Sequence, residues 1–186
     1  MILVPLFVAV LVIPTDTFYA TYEVWIRIIA AALFILTAFT DMLDGKIARK
    51  YNLVTDFGKF IDPLADKFMV FGAMLAILYR LDGILKLVFV WAALIVIFRE
   101  LAITSMRLIV VNKSGTVVAA AWLGKVKTVM QIVCIVTVLL EPIVSAYIFN
   151  TYNVLSYATT LAMTVMTLWS GIDYMRAYWP LLDTNK

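Results

Sequence analysis

The sequence predicts an all-α fold: one polytopic membrane domain over residues 1–186, built as a bundle of about six transmembrane helices. Three observations lead there. Of the 186 residues 65% are hydrophobic and only 15% charged, against about 25% charged in soluble domains, and the mean hydropathy is +1.01. Apolar runs near the roughly 20 residues that cross a hydrocarbon core recur along the chain. The stretches between them are short, and backbone inside lipid must satisfy its own polar groups, which a helix does.

The first run, Met1 to Ile13, ends at Pro14-Thr15-Asp16. About a dozen residues give about 20 Å of helix, short of a core of about 30 Å. This segment is therefore the weakest expected span, and the chain is expected to start late relative to a longer natural one. No basic region precedes it, which argues against a signal peptide. The second run, Tyr22 to Ala48, ends at Tyr51-Asn52, and the third, Phe57 to Tyr79, at Leu81-Asp82-Gly83. The fourth, Leu85 to Val111, is closed by Asn112-Lys113-Ser114-Gly115. The fifth, Ala119 to Leu140, stops at Glu141-Pro142, and the sixth runs from Val154 to Tyr178. Each separator carries turn chemistry.

Basic residues set the orientation. With the Lys46 to Lys59 connection in the cytoplasm, Lys113, Lys125, Lys127 and both chain ends follow it, leaving Arg27, Arg80 and Lys86 outside. A pI near 9.0 is then explained by the membrane surface, and no nucleic-acid partner is expected. Histidine is absent, which removes imidazole bases, Ser-His triads and His-containing zinc sites. The single cysteine, Cys134, excludes an intrachain disulfide and reads as apolar filler.

Acids gather where the second and third runs meet. Asp41 and Asp44, three residues apart, share a helical face, as do Asp62 and Asp66, four apart. Pro63 means that Asp62 caps a helix starting at Pro63, or that the helix kinks there. Carboxylates at membrane depth cost roughly 2.5 to 3.5 kcal/mol each, so four together call for a partner. Two divalent ions would cancel their charge, and hard oxygen ligands favour Mg²⁺, Mn²⁺ or Ca²⁺ over zinc. Paired metals can clamp a phosphoryl group, Gly45 and Gly58 would let backbone approach a ligand, and Arg49 adds a phosphate-binding fork. From the acids alone, a cation-coupled carrier or a structural ion site remains open. A carrier would be supported by inverted halves with interrupted segments, and the sequence has no such symmetry.

The full spacing, Asp41-x2-Asp44-Gly45-x2-Ala48-Arg49-x8-Gly58-x3-Asp62-x3-Asp66, resembles the defining motif of the CDP-alcohol phosphotransferases, with eight positions filled within 26 residues. Three further stretches resemble the bacterial branch that uses glycerol 3-phosphate: Thr55 to Lys67, Arg99 to Leu108, and Leu123 to Thr128 with Gln131. The sequence departs from the family pattern at its start. The short amphipathic helix and the Pro-Asn-x-Leu-Thr-x-x-Arg-like stretch usual before the first span are not in it.

The resemblance implies a cytoplasmic-membrane enzyme, multi-pass, with a site facing the cytoplasm. Asp41, Asp44, Asp62 and Asp66 would hold two divalent cations, Mg²⁺ or Mn²⁺, with Asp66 also the general base. Gly45, Ala48, Arg49 and Gly58 would line the CDP pocket. The implied reaction moves the phosphatidyl group of CDP-diacylglycerol to glycerol 3-phosphate and releases CMP. Sibling acceptors are inositol phosphate, serine and phosphatidylglycerol, and a homodimer is implied as well.

An acceptor phosphate needs cations of its own. Arg99 and Arg107, eight apart, lie near one helical face, and Lys125 and Lys127 open the next segment at a similar level. Arg107 and Lys125 are the first candidates, Arg99 and Lys127 the second. The competing reading is positive-inside anchoring by snorkelling side chains, Lys113 included. Glu100 is expected to pair across helices, because adjacent helical residues do not face each other. Asp56, Asp173 and Arg176 read as interfacial or helix-end charges, and Trp25, Trp91, Trp122 and Trp179 as interfacial anchors. For the homodimer, Gly72 and Ala76 are small enough to let helices approach.

Overall fold

The computed structural model describes residues 3–12, 22–51, 56–114, 122–147 and 152–182; the side chains at 48, 49, 56–63, 66, 111–114 and 180–182 lie outside the description. The described residues form six helices and no strand: α1 (Leu3–Val12), α2 (Glu23–Lys50), α3 (Asp56–Arg80), α4 (Gly83–Ser114), α5 (Trp122–Tyr147) and α6 (Val154–Leu182). Each coincides with one expected apolar run. The C-terminal ends of α4, α5 and α6 reach past the expected runs, to Ser114, Tyr147 and Leu182.

Helix α1 has 10 residues, about 15 Å, and packs against both α2 and α3. Val4, Phe7 and Leu11 recur at helical spacing and form its fully buried stripe. The Phe7 ring meets Phe34 of α2 at 5.6 Å between centroids. On the other side, a Cβ at Gly72 of α3 would sit 3.4 Å from Val4 Cγ1, and Ala76 is buried one turn further on. Gly72 therefore lets α1 seat closely on α3 inside the chain. At the far end Arg80 Nε donates to the Leu11 carbonyl at 2.6 Å, satisfying an acceptor that the end of α1 leaves open.

Helix α3 runs unbroken from Asp56 through Pro63, so Asp62 is not its N-cap. Helix α5 likewise does not stop at Glu141-Pro142, as expected from the sequence; it carries Pro142 inside and continues to Tyr147. Proline forfeits one hydrogen bond in the ladder, while Glu141 gains two. Its fully buried carboxylate accepts from Leu155 N at 2.9 Å and Ser156 N at 2.6 Å. Those are open amides in the first turn of α6. The preceding Tyr152 and Asn153 take left-handed backbone, φ 47° and 63°, and the cap comes from α5 instead of the turn.

Polarity is inverted on α6, which packs along α4 and α5. Its buried side carries Ser156, Thr160, Thr167 and Ser170, while Leu161, Leu168, Trp169, Ile172 and Trp179 are exposed. An apolar exterior over small polar contacts is the pattern of helices packed in lipid. Several hydroxyls are used locally: Thr159 donates to the Leu155 carbonyl and Thr164 to that of Thr160, both at 2.8 Å, and Ser170 to that of Thr167 at 3.1 Å. Among the described residues, Glu23–Ile47, Gly83–Val110 and Trp122–Tyr147 are long and apolar enough to cross a membrane. Cys134 is buried, its sulfur 3.6 Å from Thr160 Oγ1, as a filler should be.

Candidate active site

Asp41 and Asp44 line one cleft of about 50 Å³ near the end of α2, with Thr37 and Thr40 of the same helix, Leu3 and Val4 of α1, and Ala65 and Met69 of α3. Helical spacing of three brings the two carboxylates to the same side. Thr37 Oγ1 donates to the Leu33 carbonyl at 2.7 Å, which leaves its oxygen able to accept or to ligate. In the register of α3, positions 62, 66 and 69 fall on one stripe, and Met69 is the member seen lining the cleft. The donor set is oxygen throughout, which suits a hard divalent cation. Among the described side chains it stops at two carboxylates, since those of Asp62 and Asp66 lie outside the description. Gly45 is half-buried beside them, and Ala48, Arg49 and Gly58 lie outside the described side chains.

A second polar group is enclosed by α4, α5 and α6. Arg99 is only 9% exposed and Lys127 only 6%, so neither snorkels to the surface. Arg99 Nη1 donates to Glu100 Oε1 at 3.1 Å and Nη2 to Ser170 Oγ at 3.0 Å. Lys127 Nζ donates to the same Oε1 of Glu100. The expectation of a cross-helix partner for Glu100 holds with Lys127, and the exclusion of its neighbour Arg99 does not, because a long guanidinium arm turns back along the helix surface. Arg99 also lies over the Tyr174 ring, 5.4 Å from its centroid. Arg107 and Lys125, the first candidates from sequence, are exposed at the surface.

Two glycines make room for this arrangement. A Cβ at Gly171 would stand 3.2 Å from Arg99 Cγ, and one at Gly124 would stand 3.3 Å from the Tyr174 hydroxyl. Gly171→Ala is expected to lower thermal stability in detergent by about 1 to 3 kcal/mol, the usual cost of overpacking. An unchanged melting temperature would show that Arg99 can move aside freely.

Comparison with known proteins fixes the kinship of this arrangement. Residues 1–172 match the family model described as CDP-alcohol phosphatidyltransferase. The chain belongs to that family. Among relatives named CDP-diacylglycerol--glycerol-3-phosphate 3-phosphatidyltransferase, it is 37% identical to the one from Bacillus subtilis, covering 99% of this chain and 93% of the relative. It is 34% identical to that from Pseudomonas fluorescens, over 99% and 88%, and 32% identical to that from Yersinia enterocolitica, over 96% and 89%. This CDP-alcohol phosphatidyltransferase family member is therefore a transferase of phospholipid biosynthesis with membrane helices. The family depends on divalent metal, and the Asp41–Asp44 cleft offers the ligand chemistry such a cation takes.

The residues that sequence reasoning missed are those that hold Arg99: Ser170, Gly171 and Tyr174 on α6. Their only signal was a glycine beside a serine in an apolar run, which becomes legible once α6 is known to pack on α4.

Proposed function

We propose that this chain transfers the phosphatidyl group of CDP-diacylglycerol to glycerol 3-phosphate, yielding phosphatidylglycerophosphate and CMP. The observation that carries the reading is the shared cleft of Asp41 and Asp44 facing the stripe of α3 on which positions 62 and 66 fall. Asp41, Asp44, Asp62 and Asp66 would hold two divalent cations, Mg²⁺ or Mn²⁺. These cations supply charge neutralisation at the reacting diphosphate. Gly45, Ala48, Arg49 and Gly58 would receive the CDP moiety.

Asp66 takes the proton of the acceptor hydroxyl. The hydroxyl oxygen forms a bond to the phosphorus bearing diacylglycerol, and the bond from that phosphorus to the bridging oxygen of CMP breaks. The acceptor phosphate is held by Arg107 and Lys125 at the surface, backed by the buried Arg99 and Lys127. The chain acts as a single multi-pass domain in a bacterial cytoplasmic membrane with this site on the cytoplasmic side, and as a homodimer. Support for the orientation comes from the distribution of Lys and Arg.

The test is CMP release by the purified chain with CDP-diacylglycerol, comparing glycerol 3-phosphate with inositol phosphate, serine and phosphatidylglycerol. Release is expected with glycerol 3-phosphate, to fall to background when a chelator removes divalent cations, and to return with Mg²⁺ or Mn²⁺. A different preferred acceptor would move the function to a sibling activity. Ion-dependent vesicle uptake without any CMP would replace it with a carrier.

A further inference from the structure

Glu100 is the only acid among the described partners of Arg99 and Lys127, and it serves both through one atom, Oε1. The two cations come from different helices, α4 and α5, and each is largely shielded from water. At that separation and in such surroundings like charges repel strongly, so their convergence needs an anion between them. Arg99 is held from its other side by Ser170 Oγ and the Tyr174 face, and Glu100 is the contact it shares with Lys127.

We infer that Glu100 is a positioning residue for the acceptor: it gathers Arg99 and Lys127 into a fixed, convergent pair that receives the acceptor phosphate, and it acts through them without touching the substrate. This rests on the acceptor reading under Proposed function. A purely structural ion triad is the competing account, since buried networks of this kind also serve to fix a unique packing. The two differ in which kinetic constant moves.

The experiment uses the full chain in detergent and separates the Michaelis constants of the two substrates. Glu100→Gln keeps the shape and removes the charge. It is expected to raise KM for glycerol 3-phosphate by about tenfold or more while KM for CDP-diacylglycerol stays unchanged, the signature of a lost acceptor-binding contribution. Glu100→Asp keeps the charge one methylene short and is expected to raise the acceptor KM only about threefold. It carries the test should the glutamine variant fail to fold. An acceptor KM equal to that of the unaltered chain, or a joint loss in both substrates' constants, overturns the inference. Should the unaltered chain prefer a phosphate-free alcohol, the acceptor reading fails separately. Thermal stabilisation by inorganic phosphate then decides: stabilisation lost in Glu100→Gln supports the positioning role, and equal stabilisation overturns it.

Discussion

Asp66→Asn is expected to reduce CMP release by about 10² to 10⁴-fold, the range that a positioned general base contributes, with the folded bundle retained. Asparagine matches aspartate in size and keeps one acceptor oxygen, so packing along α3 should tolerate it. What it lacks is basicity and charge. A neutral amide cannot take the acceptor's proton, and it weakens the hold on a hard cation that prefers carboxylate oxygen. The chain offers no imidazole to substitute, and Asp41 and Asp44 lie on a different helix. The measurement is the rate of CMP release at saturating Mg²⁺ and both substrates, beside a thermal unfolding curve in detergent. Full activity in a folded variant would remove Asp66 from the role of base.

The second large effect concerns stability. Glu141→Ala is expected to destabilise the bundle by about 2 to 4 kcal/mol, because it takes the carboxylate acceptor from one buried and one part-buried amide at about 1 to 3 kcal/mol each, offset by partial hydration of a loosened α6 terminus. Leu155 N and Ser156 N are those amides. The Tyr152-Asn153 turn, with both residues at positive φ, has no described side-chain bond to replace the cap. Glu141→Gln keeps one acceptor and should lose about half as much. Chemical or thermal unfolding in detergent reads the difference, and a melting temperature unmoved by alanine would mean that another group caps α6.

Much of the architecture was legible because helices in lipid announce themselves by apolar length, and the Asp pairs were legible because spacings of three and four are the helical period. Asp41 and Asp44 on one cleft follow from that arithmetic. Glu141 was misread for a physical reason: its function depends on open amides more than a dozen residues downstream, which no local pattern reveals. Reading it with Pro142 as a turn gave weight to the lost hydrogen bond and none to the two gained. Arg99 and Glu100 show a different limit. The rule that adjacent residues diverge describes where side chains leave the helix, and a guanidinium is long enough to return. Gly72 was legible as a close-approach site, and only the packing of α1 showed that the approaching partner is a neighbouring helix of the same chain.

Helix α6 falls below the hydropathy of the three apolar spans while wearing an oily exterior. Hydropathy indices charge every threonine and serine as though its proton had been stripped of water with nothing in return. The protons of Thr159, Thr164 and Ser170 are already lodged on carbonyls one turn back in the same helix. Such a residue brings its solvent along with it. To a surrounding acyl chain α6 is a greasier cylinder than its mean hydropathy implies, and a span count set by that mean passes over a helix that apolar length alone marks.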